Sequence, residues 1–147
     1  VVDILLKEGA PERTVFHCFS GDAELAGILN EHGWYASFAG TVTFTNAKKL
    51  QAALQVMDKN RILIETDTPF LTPQPHRGKP NSPYMIPHTL RYMAKKLEMD
   101  EDALAQQLTK NTMQVYGRWD DNPVRVRTNP VTGQPWDELE PSPFHES

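Results

Sequence analysis

Apolar residues along this chain follow two different periods in alternation. Three short runs are rich in β-branched, aromatic or aliphatic residues and predict strands at 14–19, 34–44 and 62–64. Elsewhere apolar residues recur every three or four positions and predict helices; these residues are Leu25, Ile28 and Leu29, then Leu50, Leu54 and Met57, then Leu90, Met93, Ala94 and Leu97, and finally Leu104, Leu108 and Val115. Strands that alternate with helices indicate βαβ units, so we predict an α/β fold with a parallel sheet.

Several residues predict where these elements start and stop. Asp22, Asn46 and Asp100 are candidate helix N-caps, because a short polar side chain can accept a hydrogen bond from a free backbone N–H. Gly117 is expected to end the last helix. Gly40 interrupts the second predicted strand, which indicates either a bulge or the close approach of another backbone.

The first twelve residues, VVDILLKEGAPE, have the pattern of the last turns of a helix that Gly9 and Pro11 bring to an end. Two interpretations fit this pattern. The chain could open partway through a longer protein, or it could begin with a short amphipathic helix of a complete domain. The pattern of these residues alone favours neither.

Composition limits the class of protein. The chain has 147 residues, enough for one domain with a core. Residues 118–147 hold five of the twelve prolines and show no helical or strand period, so we predict a domain at 1–117 and a proline-rich extended or disordered tail at 118–147.

A single cysteine excludes an internal disulfide and suits a reducing compartment. No apolar run could span a bilayer, so we predict a cytoplasmic protein without a membrane partner.

The candidate functional residues lie where two of the predicted strands end. Functional sites of parallel α/β folds gather at the C-terminal ends of strands. His17 is near the end of the first strand, and Glu65 and Asp67 follow the third. If strand alternation continues, the two carboxylates share one face, and they are costly to bury there unless a cation or hydrogen-bond donors meet them.

Histidine and carboxylate side chains together are typical ligands of Zn²⁺, Mn²⁺ or Mg²⁺. Such an ion lowers the pKa of a bound water, and a nearby aspartate can accept its proton. A plainer interpretation makes His17 a core residue and the two acids polar residues that close a strand. Cys18 should point away from His17 as a small core residue, which excludes a Cys–His nucleophile pair.

The net charge of the chain restricts how it could bind nucleic acid. The net charge of −4 argues against a protein that holds nucleic acid by bulk charge. It allows an enzyme that meets phosphate through bound metal, because the ions supply local positive charge. A basic loop with His76, Arg77 and Lys79 could touch phosphate or could simply be solvated.

Several motifs carry a resemblance to a known family. They are HCFSG at 17–21, the strand around Gly40, ILIETDTPFL at 62–71, RGKPNSP at 77–83 and the closing segment 111–117, which departs from the family pattern at Thr112 and Tyr116. In this order they resemble the later half of TatD-family metal-dependent deoxyribonucleases. The similarity covers roughly residues 1–117 and leaves out the tail.

The resemblance implies an amidohydrolase-type TIM barrel with two or more divalent ions, Mg²⁺ or Zn²⁺, with Mn²⁺ as a further candidate. It assigns His17 and Asp67 to the metal site, at the ends of barrel strands six and eight. Asp67 is also expected to be catalytic, since it is placed to take the proton of the attacking water. Glu65 would contact the metal-binding side chains rather than the metal itself. Arg77 would bind substrate.

The family's opening His-x-His, its strand-four glutamate and its strand-five histidine have no counterpart in this chain. The resemblance therefore implies a partial barrel of strands six to eight that lacks its N-terminal half, with Val1 inside the helix after strand five. We predict a hydrolase of DNA phosphodiesters, with DNA as substrate rather than stable partner, and an inactive chain when it is alone. Alternatives are a non-catalytic fragment or interaction module, or an amide or ester hydrolase on the same barrel.

Overall fold

A computed structural model describes residues 1–117, which form alternating helices and strands. The predicted tail at 118–147 lies outside the described residues. The strands are β1 (Val15–Phe16), β2 (Tyr35–Phe38) and β3 (Ile62–Ile64). The α-helices are α1 (Val2–Glu8), α2 (Ala23–His32), α3 (Lys48–Val56), α4 (Ile86–Leu97) and α5 (Glu101–Tyr116).

The three strands form one parallel sheet in the order β1-β2-β3. Val15 lies opposite Tyr35 across the first pair, and Phe38 lies opposite Ile64 across the second. Each strand is joined to the next through a helix, so the predicted α/β fold with a parallel sheet is confirmed. The C-terminal ends of all three strands meet at one edge of the sheet, as parallel pairing requires.

Two strands are shorter than the sequence predicts. The first stops at Phe16 instead of reaching residue 19, because the backbone turns at Cys18, whose φ is 45°. The second stops at Phe38, and Gly40–Thr43 forms a 3₁₀ helix rather than more strand. These parts of the strand predictions are wrong, since apolar and β-branched residues suit a buried turn as well as a strand.

The close approach predicted at Gly40 is confirmed. A Cβ atom there would overlap the Leu71 carbonyl oxygen and would lie 2.9 Å from the Pro73 nitrogen. The neighbouring Thr43 hydroxyl donates to the Gly40 carbonyl at 2.7 Å and accepts from the Gln74 amide at 2.8 Å. The long loop that follows β3 is therefore seated directly on the turn that follows β2.

Helix ends agree with the sequence in most places. Asp22 accepts from the Leu25 amide and Asp100 from the Ala103 amide, so both predicted N-caps are confirmed. Gly117, with φ 83°, follows the last residue of α5 as predicted. The cap predicted at Asn46 is wrong: Ala47 precedes α3, and no side chain caps that helix.

The core lies on both sides of the sheet. One side is a large cluster from the sheet and the helices that cover it; its most buried members include Leu29, Phe38, Leu54, Ile62, Met93 and Leu104. On the other side Tyr35 and Leu63 pack with Val115 of α5. The buried Asn111 amide donates to the carbonyls of Lys59 and Ile62 and ties α5 to β3. Of the helices within residues 1–117, none is both long and apolar enough to cross a bilayer.

Candidate metal centre

Three predicted site residues meet at the C-terminal edge of the sheet. His17 follows β1, and Glu65 and Asp67 follow β3. Each offers one potential ligand atom, and these atoms all lie within 4.8 Å of one another. The sequence placed the three residues at matching strand ends, and the structure brings them into one cluster.

Glu65 orients the imidazole of His17. The Nδ1 atom of His17 lies 2.9 Å from Oε2 of Glu65. We assign the proton to Nδ1, because an ionised carboxylate can only accept a hydrogen bond. The lone pair then sits on Nε2, which is 3.8 Å from Oδ1 of Asp67. A carboxylate that fixes the tautomer in this way is the usual companion of a metal-binding histidine.

The three side chains fit a divalent cation. Ligand bonds of about 2.0–2.2 Å allow two ligand atoms of one ion to lie up to about 4 Å apart, which accommodates the 3.8 Å between His17 and Asp67. The second oxygen of Glu65, Oε1, is buried without a hydrogen-bond partner among the described residues. Burial of a carboxylate oxygen without a donor is costly, so this atom is also suited to a cation.

The middle strand holds both sides of the cluster in place. The carbonyl of Ser37 accepts from the Phe19 amide at 2.8 Å, just beyond His17. The carbonyl of Phe38, one residue further, accepts from the Glu65 amide at 3.0 Å. The separation between His17 and the two acids is therefore set by the backbone of β2, which contributes no ligand of its own.

Asp67 reaches the cluster by a turn, not by strand alternation. Strand β3 ends at Ile64, and Asp67 has φ 57°, in the left-handed region. The Asp67 carbonyl accepts from the Phe70 amide at 2.9 Å and closes the turn. Glu65 and Asp67 therefore do not share a strand face, because β3 ends before them. The two carboxylates do lie together, as expected, but the turn brings them there.

Backbone strain is concentrated around this cluster. Four non-glycine residues within 1–117 have positive φ, and three of them, Cys18, Asp67 and Leu71, lie in the segments that follow β1 and β3. The fourth, Glu98, ends helix α4. Left-handed backbone costs an L-residue on the order of 1–2 kcal/mol, and such strain gathers where a site needs a particular geometry.

Asn81 braces the turn that carries Asp67. This buried side chain donates from Nδ2 to the carbonyls of Thr66 and Phe70, both at 2.6 Å. Its backbone amide donates to the Pro69 carbonyl at 3.0 Å. This contact was not predicted, because it joins residues 11 and 15 positions apart, and no local pattern reports such a pair.

Replacing Asn81 by alanine should weaken metal binding as well as stability. The hydrogen bonds to the carbonyls of Thr66 and Phe70 would be lost, at a cost of about 0.5–1.5 kcal/mol each, and the Asp67 turn would relax. Urea unfolding and calorimetric titration with Mn²⁺ measure the two effects. The matched control is Asn30→Ala, which also removes two hydrogen bonds, to Val56 and Asp58 at the other edge of the sheet. Equal Mn²⁺ affinity in both variants would contradict the bracing role.

Cys18 does not lie in the core as the sequence analysis expected. Its side chain is partly exposed, because the positive φ at this residue breaks the alternation on which that expectation rested. Burial raises the pKa of its thiol, and the charges of Glu65 and Asp67 raise this pKa further. The thiol therefore stays protonated at neutral pH and is a poor nucleophile.

Arg77 packs on an aromatic ring and is not a member of the three-residue cluster. Its guanidinium lies over the ring of Phe44, 4.2 Å from the centroid. Together with Phe70 and Lys79 it lines a cavity of about 490 Å³ in the loop after Asp67. The substrate-binding role of Arg77 remains a prediction.

A parallel α/β sheet with histidine and carboxylates at its strand ends is an arrangement that suits a divalent-metal site. Comparison with known sequences agrees. A sequence model of the TatD-related DNase family matches residues 1–117, and the chain belongs to that family. The predicted resemblance is thereby confirmed.

Curated relatives include two bacterial proteins named as uncharacterized metal-dependent hydrolases. TatD of Mycobacterium tuberculosis is 42% identical over 117 residues, which cover 80% of this chain and 44% of the relative. YcfH of Escherichia coli K12 is 44% identical over 102 residues, which cover 69% of this chain and 38% of the relative. The chain thus spans less than half the length of these relatives.

Solved structures give the same picture. The TatD homologue YJJV of Escherichia coli superposes with a TM-score of 0.71 at 25% identity, covering 78% of this chain and 44% of that one. A TatD-family hydrolase of Entamoeba histolytica gives a TM-score of 0.69 at 15% identity, covering 80% and 47%; this second match shows the fold alone. The chain is therefore similar in fold to TatD proteins along nearly half of their length.

Proposed function

We propose that this chain supplies His17, Glu65 and Asp67 to the divalent-metal centre of a hydrolase that cleaves DNA phosphodiesters. The observation that carries the proposal is the 2.9 Å contact between Glu65 and Nδ1 of His17. It directs the free Nε2 of His17 towards Asp67, as a metal site requires. A plain core histidine would not have a 69% exposed side chain beside two carboxylates.

Each residue has a distinct task in this proposal. His17 would bind the ion through Nε2, and Asp67 through one carboxylate oxygen. Glu65 holds His17 through Oε2 and offers its orphaned Oε1. When bound, the ion would polarise the phosphoryl group and lower the pKa of a water molecule. Asp67, the more exposed of the two carboxylates, would accept the proton of that water.

DNA is the proposed substrate on two grounds. The family is described as TatD-related DNases, and the loop after Asp67 has the chemistry to meet a nucleic acid. Arg77 and Lys79 line its cavity and could contact phosphate, while Phe70 in the same cavity has 68% of its surface exposed. Exposed aromatic rings beside basic residues are typical of surfaces that bind nucleic-acid strands.

We further propose that β1, β2 and β3 are strands six to eight of a TIM barrel. The support is the family match together with the coverage of less than half of the relatives' length. A catalytic metal typically has about three protein ligands, and we propose that further ligands come from barrel strands other than these three. Mg²⁺, Zn²⁺ and Mn²⁺ remain the candidate ions.

An assay against several substrate classes tests this function. The protein should be produced both as the 147-residue chain and with any coding sequence that precedes Val1 in its gene. We expect the longer product to hydrolyse a DNA oligonucleotide with Mg²⁺, Mn²⁺ or Zn²⁺ and to lose that activity in a chelator. We expect the 147-residue chain alone to be inactive while still binding Mn²⁺.

The outcomes separate the alternatives. Hydrolysis of an amide or ester substrate without hydrolysis of DNA would favour the amide or ester hydrolase. No hydrolysis by either product, and no binding of Mn²⁺, would favour an interaction module and would overturn the proposal. Full activity of the 147-residue chain would contradict the partial-barrel proposal but not the metal centre.

A further inference from the structure

A second cleft lies at the edge of the sheet opposite to the metal cluster. It has a volume of about 380 Å³ and is formed by segments that precede the three strands. Arg13 precedes β1, Tyr35 begins β2, and Arg61 precedes β3. Gln114 of α5 also lines the cleft. This volume falls in the range of small-molecule sites, roughly 300–1,000 Å³.

The cleft is rich in cationic and neutral hydrogen-bond donors. Arg13 and Arg61 both line it, and His32 adds an imidazole. Glu12, on an exposed segment, is the one carboxylate among its lining residues. Neither arginine takes part in an ion pair with a described residue. Two guanidinium groups against one exposed carboxylate leave an excess of positive charge.

Both arginines are held in place by contacts that leave donors free. Arg13 donates one hydrogen bond from Nη1 to the Val115 carbonyl at 3.2 Å. Arg61 stacks on the ring of Tyr35, with its Cζ atom 4.9 Å from the centroid. A guanidinium has five N–H donors, and stacking uses its face rather than these in-plane donors. Positioned arginines of this kind suit the bidentate recognition of phosphate.

The segment that joins α2 to β2 also lines the cleft, through His32, Gly33 and Trp34. Trp34 is buried, and its ring stacks on His32 at a centroid distance of 4.8 Å. Gly33 has φ 66°, and a Cβ atom there would lie 3.5 Å from Nη2 of Arg61. A Cβ atom would be in ordinary van der Waals contact with the guanidinium at that distance, and glycine leaves this side of Arg61 uncovered.

We propose that this cleft is a binding site for a phosphate group, carried by inorganic phosphate or by a small phosphorylated molecule. Arg61 and Arg13 would bind the phosphate oxygens, with His32 as a further donor. The site is separate from the metal cluster, because the two lie at opposite edges of one parallel sheet. It therefore does not depend on the proposed hydrolytic function.

The test is a titration of the 147-residue chain in a chelator, so that phosphate cannot bind through a metal ion. Inorganic phosphate and a nucleoside 5′-monophosphate are added in turn while the NMR signals of Gly33 and the arginine side chains are followed. We expect saturable shifts confined to the cleft. A lower Kd for the nucleotide would identify a nucleotide ligand, whereas equal Kd values would identify the phosphate group alone.

Three variants test which residues of the cleft bind the phosphate. Arg61→Gln should raise the Kd for phosphate about tenfold or more, which corresponds to about 1.4 kcal/mol. Arg13→Gln changes an exposed residue whose loss spares the core, and it should also weaken binding, so the test does not rest on the folding of Arg61→Gln. Glu12→Gln should tighten binding, because it removes a repelling carboxylate.

The matched control is Arg91→Gln, which removes the same charge from a surface arginine paired with Glu101 on helix α5. Its Kd for phosphate should equal that of the unaltered chain. An equal loss of affinity in Arg91→Gln and Arg61→Gln would show attraction to overall charge only and would overturn the proposal. Shifts that do not saturate, or that occur outside the cleft, would overturn it as well.

Discussion

Substitution of Asp67 by asparagine should reduce metal-dependent hydrolysis of DNA by about 10²–10⁴-fold, the contribution typical of a proton acceptor. Asparagine preserves the size of the side chain and tolerates the left-handed backbone at this position. It removes the negative charge and the ability to accept a proton. The measurement is the initial rate with the longest product of the gene at saturating Mg²⁺ or Mn²⁺.

The matched control for this prediction is Asp100→Asn at the start of α5. Asp100 accepts from the amides of Asp102 and Ala103, and asparagine can accept the same hydrogen bonds. This variant should keep the full rate. Raising the metal concentration distinguishes two defects in Asp67→Asn, because only a loss of metal affinity is rescued by excess ion. An unchanged rate in Asp67→Asn would remove this residue from the mechanism.

Replacement of Gly40 by alanine should destabilise the chain by about 1–3 kcal/mol or more, the cost of forcing extra atoms into a packed interior. The added methyl group would overlap the Leu71 carbonyl and the ring of Pro73. Backbone atoms cannot rotate aside as a flexible side chain can, so the loop after β3 must move. Because Asp67 lies on that loop, we also expect weaker binding of Mn²⁺.

Gly27→Ala is the control for the Gly40 variant. Gly27 lies inside α2, and a Cβ atom there would meet nothing within 4 Å. Alanine in a helix interior is favoured over glycine by about 1 kcal/mol, so this variant should be as stable as the unaltered chain or more so. Chemical unfolding of the two variants compares them directly. A Gly40→Ala chain as stable as Gly27→Ala would contradict the packing argument.

The sequence predicted the fold where a single physical signal dominated. Periodic apolar residues identified the helices, and the aliphatic run at Ile62–Ile64 identified β3. Strand ends were less predictable, because Cys18 adopts a left-handed backbone that no composition rule signals. The N-cap predicted at Asn46 failed because α3 begins one residue later: Ala47 precedes the helix, and its amide donates to the Phe44 carbonyl in a turn.

The sequence predicted which residues form the candidate site but not how they are arranged in space. His17 and Asp67 stood at strand ends, where the fold class places ligands. Their actual meeting depends on the hydrogen bonds of Asn81 across a loop and on the glycine-sized gap at Gly40. Both are contacts between residues far apart in the sequence, which hydrophobic periodicity cannot report.

The placement of β2 between the two ligand-bearing strands has a thermodynamic consequence. An ion held by both His17 and Asp67 would act as a cross-link from β1 to β3 over the strand between them. Opening of the sheet at this edge would then require release of the ion, so the free energy of unfolding would rise with the free metal concentration. The backbone carbonyls of Ser37 and Phe38 set the spacing of the ligands. Through these carbonyls, the stability of the sheet would depend on the metal concentration.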